Sequence, residues 1–540
     1  MPISPMVVHL TPQEEDICTL INDFCTETNS KNPEQEPVVC RIAGGWVRDK
    51  LLGIDSHDVD IAINTMTGET FAQGLLDTGR VQSIGATIAS NPEQSKHLAT
   101  TCLKILGLEV DLVNLRSETY SKDSRIPTIE FGTPQEDADR RDLCINALFY
   151  NIHTREVEDF TGKGIEDLKG GLVRTPLEPK STFEDDPLRV LRCVRFASRL
   201  GFQTVPEISE AAQEASIQSM LATKISRERI GEEMDKMIRG PDPVYAFQLL
   251  HSFKLLPSIF LPSPQAQESA SSESRSMDEA VAGVTSLDMV LYPVAGGLPA
   301  LDPLFTTTAI SDKSARARLT FAAALTPFRG LTYELKKKRI LLVESVLRDG
   351  LKLGSQNHYI DGIPRLFNAA EMIIQAFPQP LEGKNRVAIG KLLRHPCIQN
   401  PVTGSEWSLS ILYSLVQELV TCWKDGVLDE QKATSVIDKY NKVATTIKEL
   451  DLTGAITAAP ILDGKAICDT LQVKPGPHMS TLVERVIEWQ LEHPNGTVEE
   501  CKSWLQQQHT IGALGNLPPM VGELPDRRKK RKVASENTDA

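Results

Sequence analysis

The residues best suited to chemistry are two aspartates, Asp58 and Asp60, within the run HDVDIAI. Successive side chains of a strand point to opposite faces, so the two carboxylates share one face while Val59 and Ile61 share the other. Two carboxylates this close repel each other unless a cation lies between them. An isolated Asp-x-Asp pattern more often marks an exposed edge strand than a metal site, so its surroundings decide the interpretation.

A glycine pair ahead of the aspartates favours the metal site. Gly44-Gly45 follows an apolar run and precedes a predicted short helix. Glycine lets backbone N–H groups come close to a triphosphate, and a helix start adds partial positive charge there. A phosphate-binding turn followed by a carboxylate pair is typical of metal-dependent phosphoryl or nucleotidyl transfer.

The string GGWVRDKLLG…HDVDIAI resembles the DNA polymerase β-type nucleotidyltransferases, and within them the class II tRNA nucleotidyltransferases (CCA-adding enzymes) and bacterial-type poly(A) polymerases. The resemblance implies an α+β fold, with an N-terminal mixed-sheet nucleotidyltransferase head followed by an all-helical neck, body and tail. It also implies that Asp58 and Asp60 are catalytic and hold two Mg²⁺ ions, and that Gly44, Gly45 and Arg48 hold the triphosphate.

A second acidic strand, LEVDLVNL, spans residues 108–115. Glu109 and Asp111 alternate along it and share a face. One of them is a candidate third carboxylate beside the aspartate pair, although structural support is the slightly favoured alternative.

The string RRDLCINALFYN (140–151) resembles the RRDxxxN motif of the same family, which is associated with the choice of ribose. Asp142 is expected to accept a hydrogen bond from a ribose 2′-OH, and Arg141 to hold phosphates or ribose. Asn146 stands four residues after Asp142, on the same face of a predicted helix, where it would fix that carboxylate.

The string FEDDPLRVLRCVRFASRLGF (183–202) predicts a helix with a basic face. Its arginines fall within about 120° of one another, a pattern that is also typical of a solvated face; they are Arg189, Arg192, Arg195 and Arg199. The string resembles the family's EDxxR motif, with Asp185 where many members have glutamate. The resemblance implies that Asp186 and Arg189 act as a protein template for the incoming base, supported by Arg192 and Arg195.

The chemistry of that template is selective. Cytosine and adenine both present an exocyclic amine beside a ring-nitrogen acceptor, which suit a carboxylate and a guanidinium respectively. Uracil and guanine present a carbonyl and an N–H instead, so both side chains would be mispaired. The predicted substrates are therefore CTP and ATP.

Two later segments resemble the family as well. In ISRERIGEEMDKMI (225–238), Ser226 is expected to cap a helix, and Glu228 and Arg229 to brace the template helix. Residues 461–505 resemble the tail of eukaryotic CCA-adding enzymes, which favours CCA addition over poly(A) synthesis. The predicted partner is the tRNA 3′ end, with its acceptor stem and adjoining arm. The protein is expected to be a monomer and not to bind a membrane.

With 540 residues, 41% hydrophobic and 24% charged, the chain is expected to be a multidomain soluble protein, and no stretch approaches the ~20 apolar residues of a membrane span. The predicted units are a head (1–175), a neck (176–260), a flexible insertion (261–307), a tRNA-binding body and tail (308–515) and a disordered basic tail (516–540). Ten scattered cysteines without a CxxC pair predict reduced thiols and no zinc module. The net charge of −14 alone argues against nucleic-acid binding, but a local basic face is enough to bind phosphates.

The run PDRRKKRKV (525–533) predicts a nuclear localisation signal, with a nonspecific RNA tether as the alternative. Its cations are Arg527, Arg528, Lys529, Lys530, Arg531 and Lys532. The predicted location is nucleus and cytoplasm, and the N-terminal sequence MPISPMVVHLTPQEED gives no support to a mitochondrial form.

These observations predict an enzyme that adds or repairs the 3′-terminal CCA of tRNA by metal-dependent nucleotidyl transfer without a nucleic-acid template. Three alternatives stay open: a poly(A) polymerase, a transferase that makes a signalling nucleotide, and a non-catalytic RNA-binding relative. The second would not need the Asp186/Arg189 pair, and the third would be expected to lose its acids.

Overall fold

A computed structural model describes residues 7–56, 58–88, 100–121, 124–270, 276–377, 385–515 and 517–518. Its N-terminal part is a seven-stranded mixed sheet with the order β3-β4-β5-β2-β1-β8-β9, beside a β6–β7 hairpin. The strands are β1 (Cys40–Ala43), β2 (Val59–Ile63), β3 (Ile84–Ile88), β4 (Thr100–Ile105), β5 (Leu108–Asn114), β6 (Arg116–Ser121), β7 (Ser124–Phe131), β8 (Phe149–Asn151) and β9 (Glu156–Glu158). Strands β2 and β5 are parallel, while β1 is antiparallel to both β2 and β8.

Helices pack around this sheet and begin where the sequence carries capping residues. Thr11 caps the first helix in a reciprocal capping box with Glu14, and Pro12 occupies its first turn. The helices of the head are α1 (Pro12–Lys31), α2 (Gly45–Leu51), α3 (Gly68–Asp77), α4 (Pro134–Asp139) and α5 (Gly164–Gly170).

The neck is built on a helix that ends at Gly201, whose left-handed backbone (φ 69°) suits glycine. The helices of the neck are α6 (Pro179–Asp185), α7 (Leu188–Leu200), which is the helix that ends at Gly201, α8 (Pro206–Ala212), α9 (Ala215–Thr223), α10 (Arg227–Ile238), α11 (Pro243–Ser252) and α12 (Leu256–Ile259). A short parallel pair, β10 (Leu172–Val173) with β11 (Gln203–Thr204), links the end of the head to the neck.

The body and tail are helical apart from two hairpins, β12 (Thr332–Leu335) with β13 (Lys338–Leu341) and β14 (Trp423–Lys424) with β15 (Val427–Leu428). The helices are α13 (Pro264–Ser269), α14 (Asp278–Leu291), α15 (Pro303–Ser311), α16 (Lys313–Ala324), α17 (Leu342–Ser345), α18 (Tyr359–Ala376), α19 (Arg386–Leu393), α20 (Trp407–Val420), α21 (Glu430–Glu449), α22 (Thr453–Thr457), α23 (Gly464–Leu471), α24 (Met479–Glu492) and α25 (Val498–Thr510).

One hydrophobic core runs through head, neck and body, from Ile17 to Ile456 with Leu491. A smaller, separate core fills the tail between α23, α24 and α25. Among the described residues, no helix is both long and apolar enough to cross a bilayer.

The α+β class is confirmed, with a mixed-sheet head ahead of helical regions. The three small strand pairs β10–β11, β12–β13 and β14–β15 depart from the all-helical arrangement that was predicted after the head.

The predicted flexible insertion at 261–307 is wrong for much of its length. Helix α14 buries Val284, Leu287 and Val290 against the main core, so this segment is part of the body. Residues 271–275 of this segment lie outside the described residues. The predicted basic tail also lies outside them, except for residues 517 and 518.

Candidate active site

A cavity of about 780 Å³ lies where the head sheet faces the neck helices α7 and α10. Eleven of the twelve residues predicted to be catalytic or nucleotide-binding line it. They are Gly44, Gly45, Arg48, Asp58, Asp60, Arg141, Asp142, Asn146, Asp186, Arg189 and Arg192. Positions as far apart in the sequence as Gly44 and Arg192 therefore line the same cavity. We call it the catalytic cavity.

The aspartate pair lies at the start of β2. Asp58 immediately precedes the strand and is exposed, while Asp60 within it is half-buried, and Val59 and Ile61 are buried on the opposite face. Burial, followed by the nearby Asp58 carboxylate, raises the pKa of Asp60 to about 6. This effect shows that the two like charges interact, and a bound cation would relieve it.

The acidic strand β5 pairs in parallel with β2, so that Asp111 is directly opposite Asp60. The Asp111 carboxylate adds to the raised pKa of Asp60, but it does not line the cavity. Glu109 pairs with Lys104 of β4 and is exposed. Of the two candidates, Asp111 is therefore the one beside the pair, and its role as a third carboxylate stays a prediction.

The described residues contain no group of three or more His, Cys, Asp or Glu side chains arranged to hold a metal ion. Asp58 and Asp60 nevertheless fit Mg²⁺, which prefers oxygen ligands and usually takes one or two carboxylates together with water and substrate phosphates. The rest of such a coordination shell would come from the nucleotide.

The glycine turn is constrained by its neighbours. Gly44 has φ +76°, and a Cβ there would lie 2.7 Å from Nη1 of Arg141, so the position requires glycine. Its N–H donates to the carbonyl of Leu148 at 2.9 Å. Arg48 is buried, with its guanidinium donating to Asp49 at 2.8 Å and to the Asn146 side chain. The turn therefore presents a fixed arginine to the cavity.

Asp142 joins head to neck. One oxygen accepts from Nδ2 of Asn146 at 3.1 Å, as predicted, and the other accepts from Nε of Arg192 on α7 at 2.6 Å. Burial alone raises the pKa of Asp142, but Arg192 and Asn146 outweigh it and keep the pKa below its usual range. The predicted helix at this motif is wrong: Asn146 reaches Asp142 across a turn and a short 3₁₀ segment, Cys144–Asn146.

Arg141 lies beside this group, between an acid and a ring. Its Nη2 donates to Asp137 at 2.8 Å, and its guanidinium carbon lies 5.1 Å from the centroid of the Phe149 ring. These contacts fix the plane of the guanidinium where it faces the cavity.

The predicted template residues face the same cavity but have different partners. Asp186 accepts from Nη2 of Arg229 at 2.8 Å and from the backbone N–H of Leu188 at 3.1 Å. Arg189, which is only 8% exposed, donates through Nη2 to the carbonyl of Arg140 at 2.7 Å. The basic face of α7 is thus turned towards the catalytic cavity at this end, not towards bulk solvent.

Arg195 is the predicted site residue that the structure places elsewhere. Its Nε donates to Glu233 of α10 at 2.6 Å, and it lines a neighbouring cavity instead. Helix α7 turns Arg195 away from the catalytic cavity, and its predicted support of the nucleotide or of the template pair stays a prediction.

The catalytic cavity also contains residues that were not predicted to bind the nucleotide. The described residues of its wall include eight arginines, among them Arg116, Arg140, Arg199 and Arg229, and eight carboxylates, so the formal charges of these two groups balance. Arg116 and Glu118 alternate on β6 directly after the acidic strand, and that spacing was the available signal. Arg229 was predicted only as a brace.

Two family models match segments that contribute residues to this site. Residues 40–174 match the family described as Poly A polymerase head domain. Residues 201–268 match the family described as Probable RNA and SrmB-binding site of polymerase A.

Two relatives match nearly the whole chain. The mitochondrial CCA tRNA nucleotidyltransferase of Saccharomyces cerevisiae is 38% identical over 92% of this chain and 93% of its own length. The protein of the same description from Candida glabrata is 37% identical over 92% of this chain and 96% of its own length.

Solved structures share the fold. The Bacillus stearothermophilus CCA-adding enzyme in complex with CTP has a TM-score of 0.55 at 18% identity, covering 93% of this chain and 99% of that one. The Thermotoga maritima CCA-adding enzyme complexed with tRNA has a TM-score of 0.56 at 17% identity, covering 93% and 96%.

The predicted location in nucleus and cytoplasm is wrong on this comparison, because both relatives are described as mitochondrial. The prediction rested on the cationic run at 527–532, which lies outside the described residues. A run of cations binds phosphates of any kind, so it is a weak basis for assigning a compartment.

Proposed function

The chain belongs to the family of CCA tRNA nucleotidyltransferases, and from that premise we propose that it adds cytidine and adenosine nucleotides to the 3′ end of tRNA. The observation that carries the proposal is the convergence of the aspartate pair, the glycine turn and the Asp186/Arg189 pair on one cavity. The substrates proposed are CTP and ATP, and the partner is the tRNA 3′ end.

Asp58 and Asp60 would hold Mg²⁺, which on binding lowers the pKa of a hydroxyl nucleophile and stabilises a pyrophosphate leaving group. Arg48 and Arg141 are positioned to bind triphosphate oxygens, because each guanidinium is already fixed by protein acceptors. Asp142 faces the same cavity as an ionised carboxylate able to accept from a ribose hydroxyl.

Selection of the base is proposed for Asp186 and Arg189. The carboxylate would accept from the exocyclic amine of cytosine or adenine, and the guanidinium would donate to the adjacent ring nitrogen. Since uracil and guanine reverse this donor–acceptor pattern, they would leave buried polar groups unpaired, which can cost as much as ~10⁴-fold in selectivity.

The deciding experiment uses purified protein and a tRNA that ends at its discriminator base. Each NTP is supplied singly and then all four together, and the product ends are sequenced. Addition of C, C and A, in that order, supports the proposal. A homopolymeric A tail would instead support poly(A) polymerase activity, which is the activity named in the descriptions of the two matched families.

The same assay tests the metal site. Asp58→Asn and Asp60→Asn should each abolish incorporation of both CMP and AMP, because nucleophile activation and leaving-group stabilisation are lost together. Binding of tRNA, measured by fluorescence anisotropy, should stay near the wild-type value. Incorporation above about one per cent of wild type would place the metal site elsewhere, since loss of both effects is worth several kcal/mol.

A further inference from the structure

A second cavity, of about 770 Å³, lies next to the catalytic cavity, and Arg199 lines both. We call it the basic cavity. Its walls come from the C-terminal ends of α7 and α10, the N-terminal turn of α16, and Asn357. It therefore joins the helix that carries Arg189 to the helical body.

The basic cavity is strongly cationic. Six cations and no acidic side chain are among the described residues that line it; the cations are Arg195, Arg199, Lys236, Arg239, Lys313 and Arg316. Three carboxylates pair with them from behind the wall: Glu233 with Arg195 and Lys236, Asp235 with Arg239, and Asp49 with Arg199. Six cations against these three carboxylates leave three positive charges unbalanced, in a chain whose net charge is −14.

These cations are positioned and still reachable by a ligand. Arg195 is fixed at 2.6 Å by the nearly buried Glu233. Arg239 and Lys236 keep about half of their side-chain surface exposed, at 52% and 49%. Arg316 donates to the hydroxyl of Tyr292 at 2.9 Å, and the exposed Lys313 has no carboxylate partner among the described residues. An anion entering the cavity would meet several donors at once.

The backbone at the cavity is strained. Asn357 (φ 53°) and the following His358 (φ 55°) are consecutive non-glycine residues in the left-handed region. The buried Arg318 holds this turn by donating to the carbonyl of Asn357 at 3.0 Å. Strain of this kind costs of order 1–3 kcal/mol per residue and clusters at functional sites. It is an observation independent of the charges that points to the same cavity.

The lining favours a backbone ligand over a free nucleotide. No aromatic side chain is among the described residues that line the cavity, so a base has no ring on which to stack. Guanidinium and ammonium groups without stacking partners suit phosphodiester oxygens, which carry no sequence information. Four of the six cations also lie outside residues 201–268, the segment matched to an RNA-binding family.

We propose that the basic cavity binds the sugar–phosphate backbone of the RNA strand whose 3′ end enters the catalytic cavity. The shared Arg199 marks the passage between the two cavities. The inference rests on the proposed function for the identity of the RNA, whereas the binding itself is measured without nucleotide or turnover.

The test is the double variant Lys313→Gln/Arg316→Gln, which removes two charges from α16. Binding to tRNA lacking its CCA end is measured by anisotropy between 50 and 200 mM KCl, without NTP. Suppose that both cations contact a single strand. The negative slope of log K for tRNA binding against log KCl concentration should then become shallower by about 1.4, and the affinity for tRNA at 0.1 M KCl should weaken about tenfold. In turnover, KM for tRNA should rise while kcat and KM for CTP stay unchanged.

Lys163→Gln/Lys169→Gln is the matched control, because it removes two exposed charges of the head that line neither cavity. It should leave the slope unchanged. If the melting temperature of the double variant is below that of wild type, the single variant Lys313→Gln is used instead, because this side chain is exposed. It should still make the salt slope shallower by about 0.7. An unchanged slope overturns the proposal, and so does a rise in KM for CTP without a change in tRNA binding, which would assign the cavity to a nucleotide.

The two proposals fail in different ways. If wild type binds tRNA with the expected salt slope but adds no nucleotide, the proposed function fails and the basic cavity stands. If wild type adds CCA and the slope of the double variant equals that of the control, only the basic cavity fails.

Discussion

At the scale of single residues, Asp186 and Arg189 face one cavity and are held by different partners. Arg229 holds the carboxylate, and the backbone carbonyl of Arg140 holds the guanidinium. Both oxygens of Asp186 already accept, one from Arg229 and one from the backbone N–H of Leu188, and Nη2 of Arg189 also lies 3.9 Å from Glu118. A base would therefore share these groups with their protein partners, because a carboxylate oxygen can accept more than one hydrogen bond. This division of contacts makes separate predictions for Arg189 and for Arg229.

Arg189→Ala should reduce the discrimination of CTP over UTP by about ten- to a hundredfold. The lost charge-assisted contact is worth roughly 1.5–3 kcal/mol to the correct base, whereas UTP never makes it properly. The measurement is kcat/KM for all four NTPs on one tRNA acceptor. A parallel fall for all four would show that Arg189 anchors phosphates or braces the helix instead.

Arg229→Ala should also reduce discrimination, because the Asp186 carboxylate loses the partner that orients it. We expect a smaller effect than for Arg189→Ala, about fivefold to tenfold, because the backbone N–H of Leu188 still holds one oxygen. Arg229→Lys should recover part of it, since lysine supplies the charge without the planar fork.

Arg485→Ala is the control for the Arg229 variant, because it removes an exposed arginine that also pairs with a carboxylate but lies in the tail. A uniform loss with every NTP in Arg229→Ala, without rescue by lysine, would contradict a role in base selection.

At the scale of elements, α1 fixes the helix that follows the glycine turn. Glu14 of α1 is 6% exposed and accepts from Lys50 at 2.8 Å and from Nε1 of Trp46 at 3.1 Å, both on α2. Burial by itself raises the pKa of Glu14, but Lys50 and the backbone of Thr11 lower it below its usual range. A buried ion pair therefore helps to hold the turn in register with β2.

Glu14→Gln should lower the free energy of unfolding by about 3 kcal/mol at pH 7, because it leaves Lys50 buried without a counter-charge. The lowered pKa means that the contribution of Glu14 is complete above its ordinary value of 4.5 and is lost as the pH falls through the folded-state pKa. Urea denaturation of both proteins at several pH values measures this difference.

Glu15→Gln provides the comparison, since Glu15 is 53% exposed and its pair with Arg155 should be worth less than about 1 kcal/mol. The stabilising role of the Glu14–Lys50 ion pair would be contradicted by two results. One is a loss of unfolding free energy in Glu14→Gln as small as in Glu15→Gln, and the other is a loss that does not change as the pH is lowered.

The sequence predicts the elements of the head well because strand alternation and glycine turns are local properties. Asp58, Val59, Asp60 and Ile61 lie on the faces that their spacing indicates. Contacts made across the chain are not local, and neither the Asp142–Arg192 bond nor the bond from Arg189 to the carbonyl of Arg140 is visible in any motif. The position of Arg195 depends on the angle at which α7 crosses α10, which periodicity does not specify.

At the scale of the whole molecule, the tail has a small hydrophobic core separate from the main core of head, neck and body. The tail core is centred on Trp489, which is 4% exposed, stacks on His493 at 4.6 Å and lies 6.2 Å from the Trp504 ring. It touches the body through contacts such as Arg386 to the carbonyl of Leu491 at 2.9 Å. A small core joined in this way should open independently of the rest.

Trp489→Ala should destabilise the tail by about 3–5 kcal/mol while the head and neck keep their stability. Hydrogen exchange should then rise for amides in residues 461–505 and stay unchanged in 40–200. Trp423→Ala, in the body hairpin, should leave exchange in the tail unaltered. Faster exchange throughout the chain in Trp489→Ala would show that the two cores unfold as one.

Among the described residues of the catalytic cavity, the balance of eight arginines and eight carboxylates has a consequence for rates. Opposite charges on one wall cancel beyond roughly a Debye length of 8–10 Å, so they create little field to draw in a nucleotide from solution. Diffusion of CTP or ATP into the cavity should then be nearly indifferent to ionic strength. The flux through the nucleotide step would follow the cellular concentrations of CTP and ATP, which makes the enzyme responsive to nucleotide supply even when the salt around it changes.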